Sequence, residues 1–213
     1  MKLDLDHFFI LTEDAPHCAQ LLIKLGLVEG SPNTHPGQGT ANRRFFFANS
    51  MLELLYLSDE QEARTGHARK LRLAERCVNA EASPFGLVLR QVGGSNKEPF
   101  PGWRYHPDYF AGVRYFHIGE SADRLVEPLC IYLPFDFQTI DNEPHQPDRF
   151  DRLTELRISV PVSHPSVVLE AAAECDLVSI QLNEPHKMEL VFNEAREGQV
   201  QDLRPAIPLV VRW

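Results

Sequence analysis

The chain has 213 residues, with 30 acidic and 21 basic side chains for a formal net charge of -9, and is 43% hydrophobic and 24% charged. That balance excludes a disordered or fibrous chain and opposes contact with a phosphate backbone, so no nucleic acid partner is expected. No stretch approaches the roughly 20 apolar residues that span a bilayer. The opening MKLDLDHFFILTEDA breaks its apolar run with acids on both sides, so neither a membrane partner nor a signal peptide is expected and the protein reads as cytoplasmic.

In chain order, residues 3–12 are aromatic-rich and predict a strand. Asp14 is placed to cap a helix with Pro16 near its first turn; Ala19, Leu22, Ile23 and Leu25 carry the helical period, and Gly26 is a natural stop. A short strand is expected near 27–29, then a polar, Gly- and Pro-rich loop over 31–42. Strands over 43–48 and 52–57 flank Asn49-Ser50, which suits a tight hairpin, and the order so far is β-α-β-β-β. Residues 59–80 are charged and partly helical in pattern, with apolar spacing at Ala68, Leu71, Leu73 and Ala74. FGLVLRQ (85–91), GVRYFHI (112–118) and LCIYLPF (129–135) read as strands, with loops at 93–101 and 140–147.

The first unit's order recurs near the C-terminus. A strand over 153–160, a helix over 165–175 opened by Ser163, strands over 177–182 and 188–192, and a last one over 209–213 follow one another. LDHFFIL aligns with LTELRIS and LELLYL with MELVFN, a repeat of structure that is weak in identity. The chain thus divides into a first module (1–60), a middle segment (61–150) that is either a degenerate second module or an insertion, and a C-terminal module (151–213). Cys18, Cys77, Cys130 and Cys175 form no CxxC pair, which points to free buried thiols.

Leu5-Asp6-His7 opening a strand, HPGQGTANR at 35–43, LELL around Glu53, GLVLR at 86–90, LPF at 133–135 and the His164-Pro165 turn occur in one order along most of the chain. Together they resemble the glyoxalase-like members of the vicinal-oxygen-chelate superfamily. The resemblance implies an α+β fold of repeated βαβββ modules forming a cupped, incomplete barrel, of the glyoxalase/bleomycin-resistance/dioxygenase-like kind. It also implies a divalent metal in the cup, held by a His or Glu near the start of first strands and a Glu on last strands. Members include lyases, isomerases, extradiol dioxygenases and non-catalytic antibiotic-sequestering proteins. The resulting expectation is a metal-dependent lyase, isomerase or dioxygenase acting on a small oxygenated molecule. The alternative is a metal-free small-molecule binding or sequestering protein of the same fold.

On that resemblance His7 and Glu53 match the first-module ligand positions. An imidazole with a carboxylate suits Zn²⁺, Fe²⁺, Mn²⁺ or Ni²⁺, but two ligands do not hold a metal well. If the C-terminal module pairs with the first, Glu155 and Glu189 complete a four-ligand site, and either is placed to shuttle a proton as the catalytic carboxylate. If the middle segment is the partner, Gly86 stands at the ligand position, LCIYLPF supplies no Glu, and the metal site is lost. For substrate binding, Gly37 and Gly39 let a ligand approach the backbone, while His35, Asn42 and Arg43 sit in the same stretch. Arg43 or Arg90 suits a bidentate grip on a substrate carboxylate, and Trp103, in GWRYH, suits an aromatic lid. The stretch lacks the strand-loop-helix setting of a phosphate loop, so no nucleotide cofactor is expected. Without a GxSxG elbow or a recognisable Cys–His pairing, nucleophilic hydrolysis has no support. Substrate and oligomeric state, a homodimer included, stay open at this level.

Overall fold

The alternation of the first strand already divides the molecule into two faces. In β1 (Leu3–Leu11), Phe8 and Ile10 join a core on one side, while Phe9 and Leu11 join a second apolar cluster on the other, as period-two side chains in a sheet covered on both faces must. The computed structural model describes residues 2–91, 97–110, 114–135 and 143–213. After β1 comes α1 (Ala15–Leu25), in which Asp14 accepts a hydrogen bond from the His17 backbone N–H and Gly26 ends the helix at φ 107°. Then follow β2 (Asn33–His35), β3 (Thr40–Phe46), β4 (Met51–Leu57), α2 (Glu60–Ala63), α3 (Leu73–Val78), β5 (Phe85–Gln91), β6 (Gly102–Tyr105), β7 (Phe116–Gly119) and β8 (Leu129–Leu133).

These eight strands form one sheet, curled into a half-barrel, in the order β2-β3-β4-β1-β5-β8-β7-β6. A second sheet is built from β9 (Leu153–Val160), β10 (Val178–Leu182), β11 (Lys187–Phe192), β12 (Val200–Asp202) and β13 (Leu209–Arg212), in the order β10-β9-β11-β13-β12. Between β9 and β10 lies α4 (Val167–Ala172), whose cap is Ser166 rather than the expected Ser163. The protein is therefore α+β.

The large sheet has two halves of like order. β1 runs parallel to β4, β5 runs parallel to β8, and β1 and β5 pair antiparallel at the centre. The middle segment is thus the partner of the first unit. The C-terminal unit breaks the expected repeat, because β9 is flanked by β10 in parallel and by β11 antiparallel. The strand expected near 27–29 does not form, and the short strand is β2, inside the stretch expected as loop. β3 begins at Thr40, three residues before the expected 43. Of the expected elements, residues 93–96 and 140–142 of two loops and 112–113 of one strand lie outside the described residues.

The convex face of the half-barrel, α1 and the second sheet share one core. Phe8, Leu52, Leu87 and Leu22 pack in the same cluster as Leu156, Ile158, Leu190 and Val211, and each such burial contributes roughly 1.5–3 kcal/mol. Glu127, fully buried, accepts from the Ser166 backbone N–H at 2.9 Å and so ties α4 to the large sheet. All four cysteines are free; Cys18, Cys130 and Cys175 are buried and Cys77 is half-buried. The concave face is left to line a cavity.

Candidate functional site

The cavity begins at an irregularity in β1. A β-bulge between Leu5 and His7, opposite Leu89 and Val88 of β5, interrupts the alternation, so Asp6 and His7 both line the concave side. His7 donates through Nδ1 to Asp6 Oδ1 at 2.7 Å, and Arg90 Nη1 lies 3.7 Å from Asp6 Oδ2. Burial works against a charge on His7, but the Asp6 hydrogen bond and the fields of Glu53 and Asp6 outweigh it, and its pKa rises above the ordinary imidazole value. Asp6 moves the opposite way: burial raises its pKa, but His7 and Arg90 together carry it below the ordinary value.

Glu53 stands one strand away on β4, beside the polar face of β3. Asn42 Nδ2 donates to Glu53 Oε1 at 2.8 Å, and Asn42 Oδ1 accepts from the Asn33 backbone N–H at 2.8 Å. Around it, His35 Nδ1 and Thr40 Oγ1 are 2.9 Å apart, Gln38 Nε2 donates to Thr40 Oγ1 at 2.8 Å, and Tyr109 donates to Gln38 Oε1 at 3.2 Å. Burial pushes His35 below the ordinary imidazole value, which keeps it neutral near pH 7. This half of the wall is therefore dense in donors and acceptors.

The other half is apolar. Phe9, Leu71, Tyr105, Ile118, Leu129 and Ile131 face the same space, drawn from β1, the helical segment after β4, and the strands of the second half. At the position across from Phe9 sits Gly86, where an added Cβ would come 2.0 Å from the Phe9 ring. The ring occupies the room a ligand-bearing side chain would need. A connection over residues 143–151 closes one side: Gln146 exchanges hydrogen bonds of 2.9 and 2.7 Å with the Val28 backbone, and Glu143 accepts from the Ser31 backbone N–H at 2.8 Å. Together these walls enclose about 770 Å³, within the range of small-molecule pockets.

His7, Glu53, His35 and Arg90 all line this cavity, and Asn42 adjoins it through Glu53. Other expected residues lie elsewhere. Arg43 does not line the cavity, because the register of β3 on β4 sets Arg44 opposite Glu53 on the cup face and Arg43 on the other. Arg43 turns away to a two-pronged pair with Glu29, its Nη2 2.5 Å from Glu29 Oε2. Trp103 packs edge-on against Tyr105, with Lys70 5.6 Å above its ring, and does not line the cavity.

Glu155 and Glu189 are on the second sheet and neither lines the cavity, so the four-ligand set is not assembled. Glu155 is bonded to Arg157 at 2.7 Å. Glu189 meets Lys187 and Arg212 at 2.7 Å each and Arg157 at 3.6 Å. In the cup, the second half offers Gly86, Val88, Leu129 and Ile131 where further ligands are needed. Among the described residues no group of three His, Cys, Asp or Glu side chains converges as metal ligands. The described side chains of the cup do not by themselves make up a Zn, Fe, Mn or Ni centre.

Sequence reasoning missed Asp6, Arg44, Gln38, Tyr109 and Glu143, all of which line the cavity. The Asp-His pair was in plain view, but strict alternation would place its two members on opposite faces. Nothing in the sequence pattern marks Tyr109 or Glu143, which reach the cup from connections.

No protein-family model matches the chain, and no curated protein matches it. Among solved structures, a hypothetical protein from Staphylococcus aureus is similar over 99% of this chain and 98% of its own, with a TM-score of 0.56 and 10% identity. A hypothetical protein from Bacillus halodurans C-125 is similar over 65% of this chain and 99% of its own, with a TM-score of 0.43 and 14% identity. The Staphylococcus aureus likeness shows a shared cupped α+β fold and nothing of function.

Proposed function

We propose that the concave face of the half-barrel binds an amphipathic organic small molecule and does so without a metal. The observation that carries this reading is a cavity of about 770 Å³ with one apolar and one polar wall. Apolar walls with a few convergent polar groups are the usual composition of a small-molecule site. The strand order also agrees with the resemblance to the glyoxalase-like superfamily, whose non-catalytic members hold small molecules in such a cup. A metal-dependent lyase, isomerase or dioxygenase reading needs ligands that Gly86 and Ile131 do not supply.

Titration with Nile red, a neutral apolar dye, tests the reading. Saturable binding by the unmodified protein is expected, and Ile131→Trp, which fills the apolar wall from β8, should weaken it by about tenfold or more. Circular dichroism checks that the variant stays folded. Equal binding by the two proteins places the dye elsewhere and sinks the proposal.

A further inference from the structure

The polar end of such a ligand is constrained by one carboxylate. Glu53 is 8% exposed, faces the cavity, and receives a single hydrogen bond among the described residues, from Asn42. The cations around it are engaged with other groups. Arg44, its cross-strand neighbour, donates from Nε to Ser31 O at 2.6 Å and from Nη2 to Ser31 Oγ at 2.7 Å, with Glu143 at 3.6 Å. His7 donates to Asp6, and Arg90 shares that same acid. None of the residues outside the described ones is a lysine, arginine or histidine.

A carboxylate offers about four acceptor sites. Burying one with most of them unfilled is unfavourable unless a donor arrives. A ligand that brings a cationic donor removes that cost, and a charge-assisted N–H···O contact is about twice as strong as a neutral one. A ligand carboxylate, by contrast, must compete with Asp6 and Glu143 for arginines that already have acids.

Resting on the small-molecule reading above, we infer that the cup selects an amphipathic amine. Its protonated nitrogen docks on Glu53, and its body, preferably aromatic, lies against Phe9, Tyr105 and Phe116. The aromatic rings of that wall favour a flat apolar body. The proposal concerns recognition and involves no covalent step.

Isothermal titration calorimetry with phenylbutylamine, phenylbutanol and phenylbutyrate near neutral pH separates the possibilities, since the three differ only in the head group. The amine is expected to bind at least about tenfold more tightly than the alcohol or the acid. Glu53→Gln, which keeps the side-chain shape and an oxygen for Asn42, should level amine and alcohol. Glu197→Gln, in an exposed turn outside the cup, should leave the ranking intact and so exclude a general attraction of amines to an acidic chain. Amine and alcohol binding equally, the acid binding best, or an amine preference that survives Glu53→Gln overturns the head-group assignment. In those cases Nile red still binds and the cup reading stands. If neither the three probes nor Nile red binds, both fall.

Discussion

Glu53 and Glu189 are nearly equally buried, at 8% and 4% exposure, and occupy similar sequence contexts, LELL and MELV, yet their surroundings differ in kind. Glu189 joins three strands of the second sheet through Lys187, Arg157 and Arg212. Burial alone would raise its pKa, but hydrogen bonds from Lys187 and Arg212 outweigh that and hold it below the ordinary carboxylate value. Glu53 has an amide on one oxygen and a cavity in front of it. A buried carboxylate already matched by cations is spent on holding the fold together. One without an ion-pair partner keeps acceptor capacity for a group the chain does not contain.

Removing Glu189 is expected to have the largest effect. Glu189→Ala leaves Lys187 and Arg212 without their anion and beside Arg157, which keeps Glu155, and should cost about 2–3 kcal/mol in urea denaturation. A loss well below about 1 kcal/mol would make Glu189 an ordinary surface acid. Its lowered pKa fixes the pH dependence: the stabilisation is present above the ordinary carboxylate value of the unfolded chain and disappears as pH falls through the lower folded value. The unfolding temperature of the unmodified protein should therefore drop more across that acid window than that of Glu189→Gln.

Next in size is Gly86→Ala. The added methyl meets the Phe9 ring at 2.0 Å, so the ring must move. We expect about 1–2 kcal/mol of destabilisation and weaker Nile red binding, since the nearest open space is the cup. Unchanged dye affinity would show that Phe9 does not shape the apolar wall.

What was legible in the sequence was local. The span of β5, the Asp14 and Gly26 boundaries of α1, and the hairpin of β3 and β4 follow from propensity and turn chemistry that neighbouring residues determine. What was not legible depended on counting in twos and on distant pairing. The register of β3 on β4, which sets Arg44 opposite Glu53, puts Arg44 in the cup and Arg43 outside it. The bulge at Asp6 brings in a residue that strict alternation sends to the other face. Aligning LTELRIS with LDHFFIL identified a real strand, yet β9 pairs with different neighbours than β1 does. Similar local patterns therefore led Glu155 and Glu189 to the wrong sheet.

Glu53→Gln sharpens the contrast from the other side. Because its carboxylate has no ion-pair partner among the described residues, removing the charge should leave stability unchanged or raise it by up to about 1 kcal/mol, opposite in sign to the loss at Glu189. Denaturant midpoints of the two glutamine variants, taken together, make the comparison directly. A clear loss for Glu53→Gln would mean that the cup supplies Glu53 with more stabilisation than Asn42 can provide, and would weaken its claim to be held in reserve for a ligand.

Asp6→Asn should have a comparably small effect on stability, and it isolates the acid to which His7 donates. With a raised folded pKa, His7 contributes stability below the ordinary imidazole value and loses it as pH rises through the folded value. Replacing the Asp6 charge should lower the His7 titration midpoint, followed by NMR on its ring protons, and shrink that contribution by a few tenths of a kcal/mol to about 1 kcal/mol. The variant should differ most from the parent below the imidazole range and converge with it in mild alkali. An unmoved midpoint would mean that Glu53, the other acid whose field raises His7, sets the charge of that ring. His7 would then count as a partner of Glu53, and the argument for an amine in the cup would lose its starting point.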